Sequence, residues 1–304
     1  MDFLYLLEKI RMPWLDSIML TVTHLGEETA FLVLALIIFW CVDKYQGYYL
    51  LGVGLLGNLA NQFMKILFRV PRPWVRDPNF HALESAKPEA GGYSFPSGHS
   101  QTAVGTFGAI AVTQKHKILR ILCIAVMVLV PFSRMYVGVH TPADVLVGSG
   151  MALVMVFGLY PLMLGKGKRF LPYVLMAMMA LSVAFLLFVE LYPFPADVDA
   201  ENLASAVKNA YTFVGCFTGV LIVYFVDEKK LHFVNHAVWW AQIMKAAGGL
   251  ALVLAVKSGM KPVLELILPE MPARAVRYCL IVVVAGILWP LTFKWFSKLG
   301  KKEA

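Results

Sequence analysis

The sequence predicts an all-α membrane protein, a polytopic transmembrane helical bundle of about nine spans. Hydrophobic residues make up 59% of the 304 positions and charged residues only 15%, which lies outside the usual balance of a soluble domain. The apolar residues also fall in long runs, and a helix needs about 20 such residues to cross a hydrocarbon core roughly 30 Å thick. Composition and run length together therefore exclude an ordinary soluble domain.

The predicted spans follow one another with mostly short connections. They cover residues 28–42, 47–70, 99–114, 118–135, 143–164, 170–191, 205–226, 234–256 and 275–296. The first is short, and residues 13–25 before it fit an interfacial or re-entrant helix. The long polar stretch 71–96 contains five prolines and cannot form a regular helix, and loops of that length are usually functional or disordered.

The formal charge of +8 is explained by membrane topology rather than by nucleic acid, for which no partner role is expected. Basic clusters lie in alternate connections, at residues 44, 115–120, 166–169, 229–230 and 298–302, and the positive-inside rule places them in the cytoplasm. The opposite face would be extracytoplasmic in a bacterial cell membrane, or would face the endoplasmic reticulum lumen in a eukaryote. It carries residues 72–99, His140, an acidic loop at 197–201 and the loop 257–274.

Polar clusters at the outward ends of apolar segments indicate an anion site. Ionisable residues at such positions favour a functional interpretation, because each is costly to leave unpaired in hydrocarbon. Lys65, Arg72 and Arg134 would supply three positive charges, and the planar guanidinium matches phosphate oxygens. Ser97 is a good N-cap and Gly98 allows close approach, so the following helix would present amide groups to the same anion. The clusters span residues 65–73, 96–99 and 133–144.

Two histidines and an aspartate complete a catalytic pattern. His99 would act as general acid, for which the imidazole pKa is suited near neutral pH. His140 would attack phosphorus, and Asp144, four residues on, would hold one ring nitrogen and leave the other free. Water would then hydrolyse the phosphohistidine with His99 as base. Because the cations stabilise the developing charge, neither a metal nor a cofactor is predicted.

The three clusters, with their spacings intact over residues 65–144, resemble the type 2 phosphatidic acid phosphatase superfamily. That superfamily includes undecaprenyl pyrophosphate, sphingosine-phosphate and glucose-6-phosphatases and the vanadium haloperoxidases. The resemblance implies a six-helix catalytic core. It also implies that Lys65, Arg72, Ser97, Gly98, His99, Arg134, His140 and Asp144 bind phosphate and catalyse in the roles above.

The same resemblance suggests a division of the chain. Residues 1–165 would form the catalytic membrane core, and 166–304 the remaining core helix and a C-terminal transmembrane extension. The extension resembles those of sphingosine-phosphate phosphatases and glucose-6-phosphatases. The chain departs from the sphingosine group at Gly98, where that group usually has Thr.

Several functions stay open at this stage. The leading hypothesis is a phosphatase that is surrounded by membrane lipids and acts on a phosphorylated lipid-like substrate. Candidate substrates are phosphatidate, a long-chain base phosphate such as sphingosine 1-phosphate, and a polyprenyl phosphate or diphosphate. A sugar-phosphate phosphatase of the glucose-6-phosphatase type is an alternative. A vanadate haloperoxidase is disfavoured by the many spans, and a non-catalytic lipid-binding or transport protein by the retained histidines. The sequence predicts no oligomeric state.

Neighbouring polar residues receive less specific interpretations. Asn58, Asn61 and Gln62 form a stripe expected to hydrogen-bond to adjacent helices. Arg69 is expected to be an ordinary interfacial charge. Glu28 would either rim the site entrance or lie at the interface.

Overall fold

The computed structural model describes residues 1–299, and within them every regular element is a helix. The α-helices are α1 (Asp2–Lys9), α2 (Pro13–Thr23), α3 (Glu28–Ile37), α4 (Lys44–Phe68), α5 (Pro73–Arg76), α6 (Gly98–Thr113), α7 (Lys117–Tyr136), α8 (Pro142–Met163), α9 (Leu171–Leu191), α10 (Ala200–Val226), α11 (Trp239–Glu265), α12 (Glu270–Val283) and α13 (Phe293–Phe296). Short 3₁₀ and π segments extend several of them. The chain is an all-α polytopic membrane protein, as the composition predicts.

Seven helical segments of the described chain are long and apolar enough to cross a membrane, or eight if the pair 13–26 and 28–42, bent by 51°, counts as one. The sequence indicated about nine, and α6 accounts for part of the difference. Its 16 residues extend about 24 Å at 1.5 Å per residue, less than a hydrocarbon core. It begins at the Ser97 cap.

Contacts divide the chain into two compact units. The first comprises residues 1–32, 50–160 and 193–206, and the second comprises 33–49, 161–192 and 207–304. Every predicted site residue belongs to the first unit. The predicted division into core and extension at residue 165 follows sequence order and stays a prediction.

In the first unit, α6 is buried along most of its length. Its Gly105 and Gly108 face α4 and α8, where an added Cβ would lie 3.3 Å from Val53 and 3.2 Å from Val156. Small residues thus let neighbouring helices approach α6 closely. The N-terminus of α6, which carries His99, is held inside the helix bundle.

The proline-rich stretch after α4 is an ordered loop packed under the N-terminal helices. Ala86 and Ala90 pack with Met19 of α2 and with the end of α7, at Tyr136 and Val137. The Leu83 amide also donates to the Val137 carbonyl at 2.9 Å. Buried apolar contacts and backbone hydrogen bonds therefore fix the loop that leads into the α6 cap.

The second unit contains buried polar groups that are paired. Lys44 Nζ lies 2.5 Å from Asp227 Oδ2, and the Lys168 ammonium lies 3.8 Å from the centre of the Tyr45 ring. These contacts join three of the connections between helices, those near residues 44, 168 and 227. The charge pattern places all three on the same side of the membrane. Lys245, whose role the sequence leaves open, is fully buried and donates to the Asn235 carbonyl at 2.8 Å.

Candidate active site

Six of the eight predicted site residues line one cavity of about 220 Å³ in the first unit. They reach it from three helices, from the loop after α4 and from the turn before α8. The cavity walls include Lys65 and Arg72 from the end of α4 and the residues after it, Gly98 and His99 from α6, Arg134 from α7, and His140. We call it the phosphate cavity. Ser97 and Asp144 lie behind its wall and contact its lining.

The arginines of the phosphate cavity are held differently. Arg72 donates to the carbonyls of Gly91 at 2.8 Å, Gly92 at 3.0 Å and Val139 at 3.1 Å, so its position is fixed by backbone. Arg134 is fully buried and donates one hydrogen bond, from Nη1 to Thr23 Oγ1 at 2.7 Å. Its Nε and Nη2 have no partner among the described residues. Buried donors of this kind are costly unless an acceptor occupies the cavity, and an anion would satisfy them.

His140 is buried at the base of the phosphate cavity, and its Nε2 lies 2.9 Å from Arg72 Nη1. Because a guanidinium can only donate, Nε2 is the accepting nitrogen and the ring is neutral. Burial, followed by the positive charges of Arg72, Arg134 and Lys65, lowers the pKa of His140 well below its ordinary value. The neutral ring is the form that can attack phosphorus.

Asp144 is positioned by the start of α8. Its Oδ2 accepts the Thr141 amide at 2.8 Å, and the Thr141 hydroxyl accepts the Asp144 amide at 3.3 Å, which is a reciprocal helix cap. Pro142 fits the first helical position. The same Oδ2 lies 3.6 Å from His140 Nδ1, longer than a normal hydrogen bond. The predicted pair is therefore adjacent but loosely spaced.

Ser94 occupies the position next to this pair and was not predicted from the sequence. Its hydroxyl is fully buried, donates to Asp144 Oδ2 at 2.6 Å and lies 3.5 Å from His140 Nδ1. A serine three residues before Ser97, in a loop with no periodic pattern, carries no distinctive signal. Only the fold brings it against Asp144, 50 residues later.

The N-terminus of α6 takes the predicted capped form. Ser97 Oγ accepts the Ser100 amide at 3.4 Å, and the Ser97 amide donates to the Asp144 carbonyl at 2.9 Å. Among the described contacts this leaves the amides of Gly98 and His99 for an anion. The His99 Nε2 is buried without a described partner.

Acidic side chains occupy the rim of the phosphate cavity. Glu28, whose role the sequence left open, accepts a hydrogen bond from Asn58 at 2.5 Å. Glu27 and Glu89, with His24, bring three possible ligand atoms within 4.8 Å of one another. Glu27 is half-buried and the other two are exposed, so this arrangement differs from the buried ligand sets of structural metal sites and supports no metal assignment.

Polar residues near the predicted site contact it in different ways. Asn61 donates to the Pro96 carbonyl at 3.3 Å and lines the phosphate cavity with Gln62. The stripe on α4 therefore serves both packing and the cavity wall. Arg69 pairs with Asp197 at 3.3 Å and does not line the phosphate cavity, in keeping with its expected non-catalytic role.

Comparison with known proteins gives two family matches along the chain. Residues 46–168 match the PAP2 superfamily, and residues 211–302 match the transmembrane extension of PAP2 superfamily phosphatases. Phosphatidylglycerophosphatase B of Bacillus subtilis (strain 168) is 34% identical over 161 residues, covering 49% of this chain and 75% of that protein. The undecaprenyl-diphosphatase BcrC of the same organism is 29% identical over 145 residues, covering 47% and 72%. No solved structure matches significantly.

Proposed function

Because this chain belongs to the PAP2 superfamily and is a membrane lipid phosphatase, we propose that it hydrolyses a lipid phosphomonoester through a phosphohistidine at His140. The observation that carries the mechanism is the convergence of three cationic side chains and two histidines on one cavity of about 220 Å³. We also propose that the site faces the extracytoplasmic side of the membrane. This orientation is supported by the basic residues in the connections on the opposite side, which the positive-inside rule places in the cytoplasm.

The first chemical step forms the phosphoenzyme. Lys65, Arg72 and Arg134 bind the phosphoryl oxygens, and the buried unpaired donors of Arg134 favour an anion there. The imidazole of His140 turns Nε2 from Arg72 Nη1 toward the phosphate, and the lone pair on Nε2 then attacks phosphorus. The phosphorus–oxygen ester bond breaks, and His99 donates a proton to the departing alkoxide.

The second step releases phosphate. His99 removes a proton from water, the water oxygen attacks phosphorus, and the bond to His140 breaks. Asp144 and Ser94 keep Nδ1 of His140 oriented during both steps. Positive side chains supply the charge stabilisation that metal ions supply in other phosphatases, so turnover is expected to be insensitive to EDTA.

The substrate class follows from the relatives and from the membrane location. One relative is named for phosphatidylglycerophosphate and the other for undecaprenyl diphosphate, and both names describe phosphates on lipids. Phosphatidate, long-chain base phosphates and polyprenyl phosphates belong to the same chemical class. A lipid substrate can reach a site among transmembrane helices by lateral diffusion.

The mechanism is tested with purified protein and a ³²P-labelled lipid phosphate under rapid quenching. The wild type should release phosphate and carry a label that is stable to base and labile to acid, as expected for a phosphoramidate. His140→Asn should lose both, and orthovanadate should inhibit the wild type. His116→Asn is the matched control, because His116 is an exposed residue at the start of α7. Normal turnover by His140→Asn would contradict the mechanism.

A further inference from the structure

A second cavity of about 270 Å³ adjoins the phosphate cavity in the first unit. The two share Gln62, Lys65 and Gly91 in their walls. We call it the α10 cavity, because Glu201, Asn202, Ser205 and Ala206 of the first turns of α10 line it, together with Ile66, Gly92 and Tyr93. A phosphate held by Lys65 would therefore lie beside the α10 cavity, with room there for the group esterified to it.

The wall contributed by α10 is fixed in place by its cap and by the loop before it. Asp199 Oδ1 accepts the Asn202 amide at 2.8 Å, and the Asp199 amide donates to the Tyr93 hydroxyl at 3.3 Å. Asp197 pairs with Arg69 at 3.3 Å. With this turn anchored, residues 201, 202 and 205 share one face of the helix.

This wall lies outside both family matches. Residues 193–206 fall between the regions 46–168 and 211–302 that match the superfamily and its extension. The predicted site residues thus lie within the region that matches the superfamily, whereas the matched regions do not include this side of the α10 cavity.

The lining of the α10 cavity favours hydroxyl groups over a second phosphate. Gln62 and Asn202 present amides, and Tyr93 and Ser205 present hydroxyls, all of which can both donate and accept as an alcohol does. The charged lining residues are Lys65, shared with the phosphate cavity, and Glu201. A second phosphate offers only acceptors at neutral pH and would face the Glu201 carboxylate.

We propose that the α10 cavity is a leaving-group subsite, in which Asn202, Ser205 and Glu201 bind a hydroxyl-bearing alcohol, such as a glycerol unit, esterified to the scissile phosphate. The subsite rests on the proposed phosphatase function and determines which phosphomonoester is preferred. It discriminates against simple alkyl phosphates, which cannot hydrogen-bond to its polar groups, and against diphosphates, whose second phosphate meets the Glu201 carboxylate.

The first test compares kcat/KM for short-chain phosphatidylglycerol phosphate, whose leaving glycerol carries a hydroxyl, with that for octyl phosphate. The double change Asn202→Ala and Ser205→Ala should lower the first value about tenfold and the second less than about twofold, as expected for two lost hydrogen bonds. Asn79→Ala, at an exposed loop position, is the matched control and should alter neither value. Equal losses on both substrates, or no loss on either, would overturn the subsite.

The second test reverses the charge of the wall. Glu201→Lys should raise kcat/KM for farnesyl diphosphate about fivefold, since a carboxylate near the second phosphate becomes an ammonium. It should lower the value for phosphatidylglycerol phosphate, and an unchanged ratio of the two would contradict the proposal. The proposed function fails separately, if the wild-type protein releases phosphate from none of the three substrates.

Discussion

Replacing Ser94 by Ala tests whether the unpredicted serine positions the catalytic pair. The change removes the hydroxyl that donates to Asp144 Oδ2 at 2.6 Å, in a place with no solvent to replace it. Asp144 still accepts a hydrogen bond from the Thr141 amide at 2.8 Å, so its carboxylate stays in place. It loses only the hydrogen bond from the Ser94 hydroxyl, which lies on the side of His140. The imidazole should then sample more orientations and attack less often.

The size of the effect follows from the kind of hydrogen bond. A hydrogen bond to a charged group contributes about 1.5–3 kcal/mol. At about 1.4 kcal/mol per factor of ten, its complete loss from the transition state would lower kcat roughly 10- to 150-fold. Because Asp144 retains another donor, we expect the lower end, about tenfold, with KM and orthovanadate inhibition within about twofold of the wild type.

The assay is steady-state phosphate release from a lipid phosphate by the purified variant. Ser182→Ala provides the matched control, because Ser182 is equally buried but donates to the Met179 carbonyl within α9. A Ser94→Ala protein with unchanged kcat would refute the positioning role. So would a loss of the same size in Ser182→Ala, since that would report general destabilisation.

Three further predictions concern pH, packing and stability. Because its pKa is lowered, His140 stays neutral as pH falls through 6.5, so the loss of kcat/KM from its protonation should begin only below that pH; a fall of kcat/KM on the acid side that is centred above pH 6.5 would contradict this. Gly26→Ala would place a Cβ 2.9 Å from the His99 carbonyl and should lower kcat, whereas Gly150→Ala, with open space around it, should not; equal activities would refute the contact. Asp227→Asn breaks a buried ion pair and should destabilise the protein by about 3 kcal/mol in thermal unfolding, against at most about 1 kcal/mol for Lys208→Met at an exposed pair; similar shifts would refute the difference.

Local patterns were sufficient to predict most helices and to select residues that the structure brings to one cavity. Apolar runs of span length predict helices because the bilayer requires them, and caps mark where helices begin. Ser97 and Thr141 both cap the helices that follow them, and each holds a reacting group beside its cap. Residues within one turn of a cap have positions determined by local geometry, so their chemistry can be inferred from spacing.

Contacts between distant segments could not be inferred in this way. The pairing of Ser94 with Asp144 depends on the loop packing over the end of α7, and that of Arg69 with Asp197 joins residues 128 apart. Neither has a periodic or compositional signal. The predicted segment 99–114 matches α6 in length and nearly in bounds, but α6 is not among the described helices long and apolar enough to cross a membrane, and a buried helix and a membrane span have similar apolar composition.

Arg72 connects the two cavities in both structure and chemistry. Its Nη1 contacts His140, the proposed nucleophile, while Nε and Nη2 donate to the carbonyls of Gly92 and Gly91, which also line the α10 cavity. Because the guanidinium is rigid and planar, the imidazole is the group that can move: if it turns Nε2 from Nη1 toward a bound phosphate, the lone pair is freed while Arg72 keeps its hold on the loop that forms the α10 cavity wall. Phosphate binding would then activate the nucleophile while the leaving-group subsite keeps its shape, so substrate selection and attack can be coupled through a single side chain.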